Sequence, residues 1–418
     1  VIHSMLLMQL LVILLASRVA AWLLRWLGQP PVVGEMIAGL ALGPLVFGAL
    51  APHWQATLFA PQSLAGLESL STLGLVLFMV VVGAELRLPG SIRRNLATSG
   101  WIAGCAVILP MALGLGAAPM LYPQFAPHGI AFWPFALFMA TAGAVTALPV
   151  MARILKDREL TQSNPGQLAI AAAAVADVLA WLMLAVIVAL ISAHGDWMPF
   201  WRTLVGLTLL LALCLLVIRP LSARALSRHV PNGGVDGGAL ALLLMGALAC
   251  AAVTEFLNLH PVFGAFLFGL CLPRDDRLLA SLIERVEKVA LLLLLPVFFA
   301  LAGLSTSADL LQPGMGVALA LLLAVAILGK VLGGVAGARI ARQSWRDSFA
   351  IGSLMNARGM MELIVMKVGL DTGVIDHRMF TLLLIMAIVT TMMTTPMLLY
   401  FTRSAAKPAM ATRRSIHE

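Results

Sequence analysis

The sequence predicts an all-α polytopic membrane protein of about thirteen transmembrane helices. Three observations carry that prediction. Hydrophobic residues fill 61% of the 418 positions and charged residues only 11%, where a soluble domain carries about 25% charge. Mean hydropathy is +0.99. Apolar runs bounded by Gly, Pro and charge clusters recur along the whole chain, most of them close to the roughly 20 residues that cross a bilayer. This composition excludes a soluble enzyme, a secreted disulfide scaffold and a disordered chain.

In order, the runs centre on residues 5–25, 31–50, 66–84, 98–120, 130–153, 168–192, 203–219, 237–256, 260–272, 289–305, 315–338, 348–368 and 378–402. Gly28 and Pro30-Pro31 part the first from the second. Arg87, Arg93 and Arg94 part the third from the fourth, and Arg153, Lys156 and Arg158 close the fifth. The ninth is short. The first run leads straight into further spans, as expected of an anchor rather than a cleaved leader. Residues 1–402 are expected to form one membrane domain. It comprises a first repeat at about 5–192, a linker helix at about 203–219 and a second repeat at about 237–402. Residues 403–418 would be a short cytoplasmic tail. An odd linker helix turns the second six helices upside down relative to the first six, the arrangement of an inverted-repeat transporter.

The net charge of +8 reads as topology. With the N-terminus outside, 22 of the 27 basic residues fall on the inner side and three (Arg202, Lys367, Arg378) on the outer. Cytoplasmic loops collect Lys and Arg, so the C-terminus is expected in the cytoplasm. The basic balance then needs no nucleic acid. The remaining two, Lys330 and Arg358, lie inside spans.

A charge at a helix centre costs about 2.5–3.5 kcal/mol on insertion scales, so intramembrane charges mark function. Asp177 is the only charge in the run 168–192. A lone carboxylate there can be neutralised by a proton or by a cation; the alternative is a structural Asp bonded to a neighbouring helix. Lys330 is the only charge in 316–338 and is a candidate partner for Asp177; backbone carbonyls are its alternative. Gly329, Gly333, Gly334 and Gly337 around it read as a packing face. Arg358 and Glu362, four apart, share a helix face and can pair, either to fix the helix or to gate or support an ion site.

Two runs carry helix breakers at mid-depth. The fifth holds Thr141, Gly143, Thr146 and Pro149; the twelfth holds Asn356, Arg358 and Gly359. Each is the fifth of its set of six, and broken helices at matching places point to a binding site near the midplane. Freed carbonyls and the Thr146 hydroxyl could ligate a small cation; an ordinary kink is the alternative for each break. Glu35 is a candidate carboxylate of a cytoplasmic funnel, or an interfacial Glu. Glu85, Glu255 and His260 read as interfacial, with a pH-tuning role open for His260. Cys105, Cys214, Cys250 and Cys271 show no CxxC spacing and read as small core hydrophobes. No Walker sequence, HExxH or GxSxG elbow occurs, so no cofactor, resident metal or catalytic group is expected.

The string around Asp177, the Lys330 helix and GSLMNARGMMELIVMKVGLDTGVI together resemble the monovalent cation:proton antiporter-2 superfamily, in its Kef-type and plant cation/H+ exchanger-like branch. GQPPVVGEMIAGLALGP, LHPVFGAFLFGLCLP and LLLPVFFALAGLST are similar to it as well, and the likeness spans about residues 8–402. The resemblance implies a sodium/proton antiporter-like fold with crossed broken helices. It further implies a homodimer in the bacterial inner membrane and a core of helices four to six and eleven to thirteen that moves against a scaffold. Asp177 falls on the family's ion- and proton-binding carboxylate and Lys330 on its buried basic residue. Thr146 and Pro149 lie in the first crossing helix; Asn356, Arg358 and Glu362 lie in the second. Two departures stand out. Ala176 occupies a place where the family often carries Asn, Asp or Gln, and no cytosolic sensing domain follows the membrane part, so a separate cytosolic regulatory subunit is a candidate partner.

The function expected is secondary antiport of K+ or Na+ against H+, with one cation or one proton on Asp177 at a time. Two stoichiometries fit: electroneutral one-for-one exchange, or electrogenic exchange if Lys330 also gives up a proton. The alternative is a non-coupled channel or sensor on the same scaffold. An intramembrane enzyme lacks an Asp partner for Asp177.

Overall fold

The computed structural model describes residues 2–85, 90–161, 163–192, 197–228, 237–257, 260–272, 285–308 and 314–402. All thirteen expected runs are helical. They are α1 (Ile2–Trp26), α2 (Pro31–Leu42), α3 (Leu64–Glu85), α4 (Gly90–Phe125), the two halves α5a (Phe132–Ala144) and α5b (Leu148–Asp157), and α6 (Asn164–Ser192). Then come α7 (Trp197–Leu213, running through a π-turn at Cys214–Ile218 into Arg219–Arg228), α8 (Gly237–Phe256), α9 (Pro261–Leu270) and α10 (Leu295–Leu304, entered through a π-turn at Ala290–Leu294). The last are α11 (Met315–Ile340), the halves α12a (Trp345–Met355) and α12b (Met360–Asp371), and α13 (His377–Thr402). Among the described residues nine helices are long and apolar enough to cross a membrane, and α5a and α9 are shorter apolar helices.

The expected edges fail most at α4, which runs for 36 residues with Pro110, Pro119 and Pro123 inside it. Proline is tolerated in a membrane helix when neighbours re-satisfy the freed carbonyls, so neither it nor the flanking arginines ends the helix. The linker helix likewise runs on past 219, to Arg228.

The helices sort into two packing groups. In one, α2 packs on α1 and α10, α3 on α9 and α10, and α8 on α9. In the other, α4 packs on α5a, α6 and α11, while α12a packs on α6, α11 and α13. Each group therefore takes three helices from each half of the chain. α7 lies against α6 and touches α9 through its π-turn.

Backbone close approach holds the second group together. A Cβ on Gly333 would stand 2.6 Å from the Cys105 carbonyl oxygen, and one on Gly337 2.5 Å from the Ile102 Cα. Gly329, Gly333 and Gly337 of the expected packing face thus form the α4–α11 seam, since small residues let membrane helices approach, whereas Gly334 faces Gly352 of α12a. Replacing Gly333 with Leu is expected to lower stability by at least about 1–3 kcal/mol through overpacking, read as a fall in the thermal unfolding midpoint; an unchanged midpoint would refute the seam.

The two groups touch in two places, one around the turn between α1 and α2 and one at the start of α13. At the first, Gln29 Nε2 donates to the Met392 carbonyl at 3.2 Å, and Arg158 Nη2 donates to the Gly28 carbonyl at 3.2 Å. At the other, the Ser307 amide donates to Thr381 Oγ1 at 2.8 Å, and His377 Nδ1 lies 2.6 Å from the Ser305 carbonyl.

Candidate functional site

The site is built where α5 and α12 break. α5a stops at Ala144 and α5b starts at Leu148, with Pro149 in its first turn. α12a stops at Met355, and α12b starts at Met360. The two breaks cross: the Ala147 amide donates to the Ala357 carbonyl at 3.1 Å. Breaking a helix at mid-depth leaves orphan carbonyls on one half and orphan amides on the other, with partial charge to match. The buried ionisable groups meet these ends.

The negative end of α5a faces two cations. Arg358 Nη1 donates to the Ala142 carbonyl at 3.1 Å and Nη2 to the Gly143 carbonyl at 2.9 Å. Lys330 Nζ donates to the Ala144 carbonyl and to Thr146 Oγ1, the latter at 2.7 Å. Glu362 stands in the first turn of α12b and accepts from Arg358 Nη1 at 2.6 Å. Asn356 donates through Nδ2 to the Thr390 carbonyl at 3.1 Å. Asp177, Lys330, Asn356, Arg358, Glu362 and Thr146 are all fully buried.

Asp177 is the exception among them. Both of its carboxylate oxygens are buried, and neither finds a hydrogen-bond partner among the described residues. The amide of Leu148, first residue of α5b, faces the carboxylate without closing a hydrogen bond, and Lys330 lies within electrostatic reach. The expected ion pair between Asp177 and Lys330 is not formed. The ammonium turns instead to the carbonyl end of α5a and to the Thr146 hydroxyl expected of a cation ligand. A buried carboxylate without donors and beside a helix N-terminus is a place for a proton or a small cation.

The residue pattern matches a family model described as sodium/hydrogen exchanger, transmembrane, over residues 12–400. The chain belongs to this family. Among curated relatives it is 36% identical to cation/H(+) antiporter 17 of Arabidopsis thaliana over 94% of this chain and 48% of that protein. It is 34% identical to the Na(+)/H(+) antiporter NhaS4 of Synechocystis over 94% of this chain and 96% of that protein. It is 32% identical to K(+)/H(+) antiporter 1 of Saccharomyces cerevisiae over 88% of this chain and 43% of that protein. The chain thus spans about half the length of most of these relatives. The fold matches that of the sodium proton antiporter MjNhaP1 from Methanocaldococcus jannaschii with a TM-score of 0.67 at 17% identity, over 96% of this chain and 98% of that one. The relatives are transporters rather than enzymes by name.

Other expected positions of this exchanger-family chain fall as follows. Glu35, half-buried on α2, lines a cavity of about 740 Å³ together with Arg18, Arg25, Arg153, Lys156 and Glu287. Glu255 is exposed near the end of α8, as expected of an interfacial group; the Glu85 side chain lies outside the described set. His260 caps α9 by accepting from the Val262 amide. Cys214, Cys250 and Cys271 are buried free thiols, and Cys271 Sγ donates to the Cys214 carbonyl at 3.2 Å.

One residue of the site went unread. Thr391 on α13 accepts from the Arg358 amide at 3.0 Å and donates to the Arg358 carbonyl at 2.7 Å, so it holds the α12 break open. Its signal was the run VTTMMTT, four threonines within one span.

Proposed function

We propose that this chain exchanges a monovalent cation, K+ or Na+, for protons across a cell membrane. The observation that carries the reading is the Asp177 carboxylate: fully buried, without a hydrogen-bond donor, at the crossing of two broken helices. A bare charge is untenable there, so the site must hold a proton or a cation. Either guest neutralises the group, and the two exclude one another. The Thr146 hydroxyl and the Ala144 carbonyl are further oxygens that a cation could use. Lys330 now occupies both and acts as an internal competitor that must withdraw when a cation binds. Pro149 keeps the α5 break open from one side. Asn356, Arg358 and Glu362 hold the α12 break.

The group containing α4–α6 and α11–α13 carries the site and moves against the other. The cavity beside Glu35 is the cytoplasmic funnel, and the Ser305–His377 and Ser307–Thr381 contacts close the outer end. The N-terminus is outside and the C-terminus cytoplasmic, in keeping with the basic-residue asymmetry. The exposed apolar side of α1, with Leu7, Leu11, Leu15 and Trp22, faces lipid or a second copy in a homodimer. A separate cytosolic subunit would supply regulation. The names of the relatives, which include Na(+)/H(+) and K(+)/H(+) antiporters, support this reading.

The test is reconstitution into vesicles that hold a pH dye and an imposed pH gradient. Adding K+, Na+ or Li+ should dissipate the gradient with at least one of the first two. If no cation moves protons, or conductance appears without proton movement, exchange is ruled out and a channel or sensor takes its place.

A further inference from the structure

We propose that the inner funnel is also a binding site for a phosphate-bearing anion, held between the two packing groups. The cavity beside Glu35 has four cationic side chains on its walls, Arg18, Arg25, Arg153 and Lys156, against two carboxylates, Glu35 and Glu287. An adjoining cavity of about 450 Å³ shares Arg25 and Arg153 and adds Arg158. Spaces of this size accept a nucleotide or a lipid headgroup.

Only part of this positive charge is met by the protein. Arg18 and Arg153 lie within electrostatic reach of Glu35. The side chains of Arg25 and Lys156 make no hydrogen bond or ion pair to any described residue, and all four cations are exposed to water. The N-terminus of the 12-residue α2 opens at the same place. Pro31 lines both cavities and Val32 the larger one, and the first turn has no side-chain cap. The arginines are the anion-binding device here; the start of α2 adds little to it, because Pro31 carries no N–H and the Val33 amide already donates to the Pro30 carbonyl at 3.1 Å. Loop charges that merely set topology would face the headgroups outward; here they converge over a cavity.

The walls belong to different groups. Arg18 and Arg25 stand on α1, whereas Arg153 and Lys156 stand on α5b, the half-helix whose first amide faces Asp177. An anion bridging Arg25 and Arg153 ties the moving group to the fixed one and favours this arrangement over any in which they part. That consequence rests on the exchange reading; the binding itself does not.

The experiment measures binding. The purified chain in neutral detergent is titrated with inorganic phosphate and with ATP, against chloride at equal ionic strength. In parallel it is placed in phosphatidylcholine nanodiscs with and without phosphatidylglycerol. A saturable rise in the thermal unfolding midpoint is expected. A response to phosphate or ATP assigns a free anion, and one to phosphatidylglycerol alone assigns a headgroup. R25Q and R153Q should each weaken the response about tenfold or more, K156Q less, and R346Q, on the exposed inner surface away from the funnel, not at all. K156Q serves if the arginine variants fail to fold. No rise beyond chloride with any of these anions, or a response undiminished in the funnel variants, overturns the site. Because transport is not the readout, failure here leaves exchange standing, and failure of exchange leaves this site standing.

Discussion

Replacing Asp177 with Asn is expected to abolish cation-driven proton movement, at least about a hundredfold in initial rate, without weakening the fold. Asn is nearly isosteric and cannot trade a proton for a cation. Loss of transport alone would be a weak result, since any damaged membrane protein stops working. The expected second half is more telling. Both Asp177 oxygens are buried and no hydrogen bond closes on them, so turning the carboxyl into an amide breaks no native link. Asn is neutral without a guest, whereas Asp177 needs a proton or a cation to avoid a bare buried charge. The variant should therefore unfold at the same temperature as the native chain or higher. Vesicles of this variant that still dissipate a pH gradient on K+ or Na+ addition at the native rate would end the mechanism. A marked loss of stability would show instead that the carboxylate is a structural link.

Much of this site was readable in the linear chain because lipid makes charge expensive. Asp177, Lys330, Arg358 and Glu362 each interrupt an apolar run, and that interruption alone flagged them. The breaks were readable for the same reason: Gly143, Pro149, Asn356 and Gly359 disrupt helices that nothing else ends. What the chain does not contain is the pairing. The sequence leaves Lys330 two partners, Asp177 or backbone carbonyls, and the fold takes the second. The three carbonyls at the end of α5a exist only once α5 has broken, and they offer a cation a ready negative end. Thr391 was invisible because a threonine in a membrane helix ordinarily bonds back to its own helix. Thr391 keeps such a bond, to the Ala387 carbonyl at 2.8 Å, and its contacts with the Arg358 backbone exist only once α12 has broken beside it. The funnel is half legible: Glu35 stands out as a carboxylate near a span end, whereas the arginines around it read as topology. Their convergence is a property of α1 and α5b lying side by side. The interleaving of the two packing groups is likewise absent from periodicity, because helices buried on several sides have no polar face to report.

Removing the Arg358 side chain should do the opposite of removing the Asp177 charge. The two groups are equally buried, and their burial does not distinguish them. Their partners do. Arg358 fills its fork with the Ala142 and Gly143 carbonyls and with Glu362, while its own backbone is held from both sides by Thr391. Arg358→Ala would strand two carbonyls of a broken helix and leave the Glu362 charge alone, a loss of about 3–5 kcal/mol for breaking a buried pair from one side. Arg358→Lys keeps the charge but not the planar fork, and should fall between. Arg358→Met combined with Glu362→Met removes both charges at similar volume and should recover part of the loss, though the carbonyls stay unmet. The measurement is the unfolding midpoint of each variant in one detergent. An Arg358→Ala protein as stable as the native chain would mean that the α5 break is held by something other than this guanidinium. A double variant less stable than the single one would mean that Glu362 has partners of its own. With Asp177→Asn stable and inactive and Arg358→Ala unstable, one charge at the crossing is there to be neutralised by a guest and the other to keep the crossing open.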